Sequence, residues 1–139
     1  MKKDKVLQVI KVEPGKNPEV LFIKNDLKVM QDIVGGLIEP IEIADGVTIV
    51  CNEEGKYNGL PLNRALRTTG GEIWDIVAGT FFITGDDFEL GQFVSLTDEQ
   101  VEVYENKFHF PEIFYKKDGE ICAKKIPAGW YPVMTGGDL

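Results

Sequence analysis

The chain has 139 residues and a formal net charge of −8, with 43% hydrophobic and 27% charged residues. That balance excludes intrinsic disorder and a coiled coil, and the length suits one domain better than two. No apolar stretch approaches the roughly 20 residues of a membrane helix, and no secretion signal is read at the start, so a soluble, cytoplasmic protein is expected.

In chain order, VLQVIKV at 6–12 reads as a strand, Pro14 and Gly15 as a turn, and EVLFI at 19–23 as its hairpin partner. Asn25 or Asp26 can cap a helix over 26–34, whose apolar face is Leu27, Met30, Ile33 and Val34 and which Gly35 and Gly36 stop. LIEPIEI at 37–43 alternates apolar and polar residues. Its Pro40 has no amide donor, which sends the strand to a sheet edge or a bulge. Asp45 and Gly46 turn the chain into GVTIVC. An irregular polar stretch follows, in which Pro61 opens a helical turn carrying Leu62, Ala65 and Leu66. EIWDIVAGTFFITG at 72–85 is rich in β-branched and aromatic residues and reads as one central strand, with Gly79 as a bulge or close approach. Thr97 and Gln100 form a capping box for a helix over 97–108 that buries Val101, Tyr104 and Phe108. Pro111 ends it. EIFYK and EICAKKI around Asp118 and Gly119 make a last hairpin.

These elements predict an α+β fold: a mixed or antiparallel sheet of about five to seven strands with two short helices on one side. Residues 1–110 form the main domain. Residues 111–139 form a hairpin and an apolar tail packed on the same domain or on a neighbouring subunit. Trp130, Tyr131, Val133 and Met134 crowd that tail, which suggests docking on a second chain and a homo-oligomer.

Charge is concentrated. Residues 85–106 hold Asp86, Asp87, Glu89, Asp98, Glu99, Glu102 and Glu105 and no Lys or Arg, whereas the remainder has sixteen acids against fifteen bases. Direct nucleic-acid binding is disfavoured, since phosphate contacts need clustered cations. The acidic stretch is a solvated face or, alternatively, a mimic of DNA phosphates. Cys51 and Cys122 sit in apolar runs without metal-ligand spacing, and His109 is the single histidine. Asp86 and Asp87 lack calcium-loop spacing, and EEGK at 53–56 lacks the first glycine and the hydroxyl residue of a phosphate loop. No catalytic residue, metal site or cofactor is read from the sequence.

VEPGK, DLKVMQDIVGGLIEPIEI, VCNEEGKYNGLPLNRAL, DIVAGTFFITG and SLTDEQVEVYENKF, in that order, make the chain similar to the domain-of-unknown-function family 3846 over about residues 6–108. The resemblance carries no substrate or catalytic residue. It implies a setting, namely bacteria, phages and conjugative elements, where small accessory proteins counter host defences.

The block CNEEGKYNGLPLNRALR holds both arginines of the chain, Arg64 and Arg67, three apart on one face if 62–67 is helical. Arginine suits bidentate recognition of phosphate. Asn63 offers an amide, Tyr57 and Trp74 can stack, and Gly55 and Gly59 let backbone amides approach an anion. The candidate ligand-binding set is Asn52, Lys56, Tyr57, Asn63, Arg64, Arg67 and Trp74. The bland alternative is that Glu53, Glu54 or Asp75 pairs with the arginines and pins the loop to the sheet. The expected function is a non-enzymatic accessory protein of a phage or mobile element that sequesters a small nucleotide-derived host signal. The alternative is an acidic protein-binding inhibitor of a nuclease or restriction system.

Overall fold

A computed structural model describes residues 5–130 and 132–139. Antiparallel pairing dominates. Strands β1 (Val6–Val12), β2 (Glu19–Lys24), β3 (Ile38–Ala44), β4 (Val47–Asn52), β7 (Phe81–Asp87) and β8 (Gln92–Val94) form one six-stranded sheet. Its order is β2-β1-β7-β4-β3, with β8 paired to β7 beyond the end of β1. Strands β5 (Leu62–Arg67) and β6 (Ile73–Ala78) form a separate hairpin, as do β9 (Glu112–Lys117) and β10 (Glu120–Lys125). The fold is α+β with helices α1 (Leu27–Val34) and α2 (Asp98–Lys107). Among the described residues no helix is long and apolar enough to cross a membrane.

Central strand β7 is buried on both faces, and its side chains alternate between two cores. Phe81 and Ile83 join Ile10, Ile49, Leu66, Val77 and Phe108, while Phe82 joins Leu7, Val9, Val50, Met30 and Val34. The first core takes α2 through Val101 and Tyr104; the second takes α1. The two helices therefore lie on opposite faces of the sheet, which corrects the expectation of a shared side. Neighbouring residues on β1, β4 and β7 are apolar on both faces, so each face needs its own cover. The β5–β6 hairpin helps to cover the α2 face through Leu66 and Val77.

Local signals act as their chemistry dictates. Asp26 caps α1 by accepting from the Lys28 amide, and Gly35 ends it in the left-handed conformation with φ +80°. Leu27, expected on the apolar face of this helix, is exposed. At α2 the Gln100 amide donates to Thr97 Oγ1 and the Thr97 amide donates to Gln100 Oε1, a complete capping box. The two outer strands of the main sheet differ. Strand β3 carries Pro40 and a register shift between Glu42 and Ala44, while β2 runs in unbroken register against β1 with Phe22 exposed.

Two expectations fail locally. Residues 62–67 form a strand, not a helical turn. Residues 72–85 are two strands in different sheets, because Gly79 adopts φ +81° and turns the chain between β6 and β7. There is also no space for a larger residue, since a Cβ at Gly79 would stand 2.7 Å from Leu60 Cδ1.

The β9–β10 hairpin joins the body through Phe114, which packs with Leu62, Ala65, Ile76 and Ala78. In the tail, Met134 accepts a hydrogen bond from the Leu62 amide, Leu139 packs against that same cluster, and Trp130 and Val133 are exposed. Tyr131, named with them as a docking residue, lies outside the described residues.

Candidate functional site

The polar block that begins at Asn52 divides into an interior part and a surface part. Arg64 has no solvent exposure. Its Nε donates to Phe108 O at 3.1 Å, one terminal nitrogen to Asn63 Oδ1 at 2.9 Å and the other to Lys16 O at 2.7 Å. The guanidinium thus ties β5 to the end of α2 and to the β1–β2 turn. Asn63 is equally buried and donates to Val12 O and Gly79 O, both at 2.9 Å. Asn52 spans two elements: its amide donates to Val34 O at 3.2 Å and its oxygen accepts from the Glu54 amide at 2.8 Å. These three of the seven candidate residues lie inside the protein with their polar atoms engaged by the chain itself.

Arg67 makes a two-pronged pair with Glu112, with nitrogen–oxygen distances of 3.2 and 2.6 Å. Glu112, whose side chain is 4% exposed, also accepts from the Ala65 amide at 3.4 Å. The pair joins β5 to β9. The Glu112 hydrogen bond raises the pKa of the Arg67 guanidinium against the smaller opposing effect of burial. The carboxylate partner of Arg67 is therefore Glu112, not Glu53, Glu54 or Asp75. Asp75 instead pairs with Lys56 and accepts from the Ile76 amide.

On the surface, the two hairpins flank an open groove of about 1180 Å³. Lys56, Arg67 and Trp74 line it, joined by Lys116 from β9 and Cys122 from β10. Trp74 is 49% exposed on β6. Glu72, Asp75 and Glu120 add carboxylates to the rim, so the groove is mixed in charge. Residues Gly136 and Leu139 form part of its lining. Tyr57 is 95% exposed and belongs to a smaller cavity of about 230 Å³ that also holds Lys56 and Cys51. The structure therefore brings Lys56, Arg67 and Trp74 together and leaves the other four elsewhere. Sequence reasoning did not select Lys116 and Cys122. They lie about fifty residues beyond the polar block, and the packing of Phe114 beneath β5 together with the Arg67–Glu112 pair brings their hairpin alongside.

Other candidate chemistry takes on structural work. Burial pushes the Cys51 thiol up to about 12, helped by the nearby carboxylates of Glu39 and Asp75. His109 stacks edge-on against Phe110 with ring centroids 4.7 Å apart. Within the acidic stretch, Asp86 accepts from Thr48, Asp87 from the Leu90 amide and Asp98 from Gln8. Among the described residues no group of His, Cys, Asp or Glu is placed to hold a metal ion.

The fold is thus a two-faced α+β sheet with a groove set between two added hairpins. The chain belongs to the family described as Domain of unknown function (DUF3846), whose profile matches residues 7–109. No curated protein and no solved structure gives a significant match. The family match ends before β9, so one wall of the groove lies outside it.

Proposed function

We propose that this chain is a non-enzymatic binding protein that takes a small nucleotide-derived anion in the groove between the β5–β6 and β9–β10 hairpins. The observation that carries this reading is the half-exposed Trp74 indole in one groove with Lys56, Arg67 and Lys116. An indole face stacks a base, and a guanidinium or ammonium pairs with phosphate. The Glu112 pairing engages one N–H on each terminal nitrogen of Arg67, a group with five donors, so a ligand can take others. Glu72, Asp75 and Glu120 suit ribose hydroxyls or an exocyclic amine. In the mobile-element setting that the family resemblance implies, such a protein sequesters a host defence signal, an action that needs affinity and no chemistry.

Calorimetric titration with cyclic dinucleotides, cyclic trinucleotides and cyclic ADP-ribose isomers tests the reading. Trp74→Ala and Lys116→Ala each weaken binding about tenfold, corresponding to about 1.4 kcal/mol, while the melting temperature stays within a few degrees of the parent. Failure of the intact protein to bind any of these ligands overturns the reading for those classes.

A further inference from the structure

Residues 132–139 touch the groove at defined points. Leu62, at the start of β5, donates its amide to Met134 O at 2.8 Å. Thr135 then closes a short turn by donating its amide to Asp138 Oδ2 at 2.8 Å, and Asp138 and Leu139 donate back to Thr135 O and Gly136 O. This turn delivers the Leu139 side chain to the cluster of Leu62, Ala65, Ile76, Ala78 and Phe114. Gly136 and Leu139 thereby line the same groove as Trp74 and Lys116. No residue from 132 to 139 is buried, and residues 132, 133 and 136–138 are exposed. A segment that lies so fully at the surface belongs to the low-stability end of a structure, where local opening is least costly.

We propose that residues 134–139 are a displaceable strap on the groove, so that ligand entry and strap release are coupled. The inference rests on the groove being the ligand site. The strap fills volume at one wall, and a ligand that occupies the full groove must compete with Leu139 for the apolar floor. Loosening the strap therefore raises affinity, because a ligand that meets an already open groove does not have to spend binding energy on opening it.

The test compares the full chain with Leu139→Ala and, separately, Asp138→Ala, which removes the turn's acceptor without touching the apolar cluster. Hydrogen exchange at the Leu62 amide reports the strap without any ligand, and ADP-ribose and cyclic di-AMP are the titrated probes. In both variants exchange at Leu62 accelerates at least fivefold while the central β7 amides stay protected, and the probe that binds does so three- to tenfold more tightly. Unchanged exchange at Leu62 in both variants overturns the strap. So does accelerated exchange with equal or weaker probe affinity. If neither probe binds the full chain or the variants, the ligand reading fails for those probes, and exchange at Leu62 alone decides whether the segment is a strap. A variant whose β7 amides also lose protection has lost its fold, and the other variant then decides.

Discussion

Asn63 and Arg64 are neighbours in β5, and the Arg64 guanidinium donates to the Asn63 side-chain oxygen at 2.9 Å with both residues fully buried. A regular strand sends adjacent side chains to opposite faces. Here the register against β6 shifts between Leu62 and Arg64, which lets the two meet. Together they collect carbonyls from four places: Val12 at the end of β1, Gly79 before β7, Lys16 in the first turn and Phe108 after α2.

Arg64 is accordingly a residue of stability. Arg64→Ala leaves buried acceptors without donors and a cavity the size of the side chain. It costs about 3 kcal/mol or more, or roughly 10 °C in melting temperature for a domain of this size. Arg64→Lys also destabilises, because an ammonium cannot reproduce three donors in a planar fork. Thermal melts of both variants check this. An unchanged melting temperature in either contradicts the clasp.

The Arg67–Glu112 pair makes a different prediction. Glu112→Gln preserves shape but removes the charge that two Arg67 nitrogens share, and it lowers stability by about 1–2 kcal/mol. Arg67→Ala strands a buried carboxylate and costs more. In a double-mutant cycle measured by urea unfolding, the coupling energy of the two sites is at least about 1 kcal/mol.

Gly79→Ala tests the turn that separates β6 from β7. The substitution meets both a left-handed backbone, at φ +81°, and a Leu60 contact closer than real Cβ atoms show. Destabilisation is about 2 kcal/mol or more, read as a lower urea midpoint with an unchanged m-value.

Cys51 sets an alkaline limit. Its folded pKa, about 12, lies above its ordinary value of 9.0. The stability linked to its proton is fully present below about pH 9, where both states hold the proton, and is lost as pH rises through about 12. Urea midpoints measured from pH 8 to 11 fall less steeply in Cys51→Ala than in the parent. At pH 8 a thiol reagent modifies half-buried Cys122 quickly and Cys51 only on unfolding.

Much of the fold can be read from period and punctuation. The helix stops at Gly35 and the Thr97–Gln100 box stand where the residues put them, and Pro40 does sit on an outer strand. The β5 segment defeats that reading for a physical reason. Leu62 to Leu66 are all buried and two register shifts interrupt the strand, so no alternation survives, and the i, i+3, i+4 spacing of Leu62, Ala65 and Leu66 imitates a helix. At the site, residue type alone could not tell an inward arginine from an outward one. Arg64 and Arg67 look alike in the sequence, and only the distant Glu112, Lys16 and Phe108 assign their roles.

The unequal margins of the main sheet bear on how these molecules behave when crowded. Pro40 and the irregularity at Glu42–Ala44 leave β3 a poor template for an incoming strand, whereas β2 presents an uninterrupted run. A sheet that is blunt on one side and receptive on the other can join another of its kind once, β2 to β2, and then has no β2 margin left to offer. A β2-to-β2 contact therefore stops at two molecules, because it uses both β2 margins.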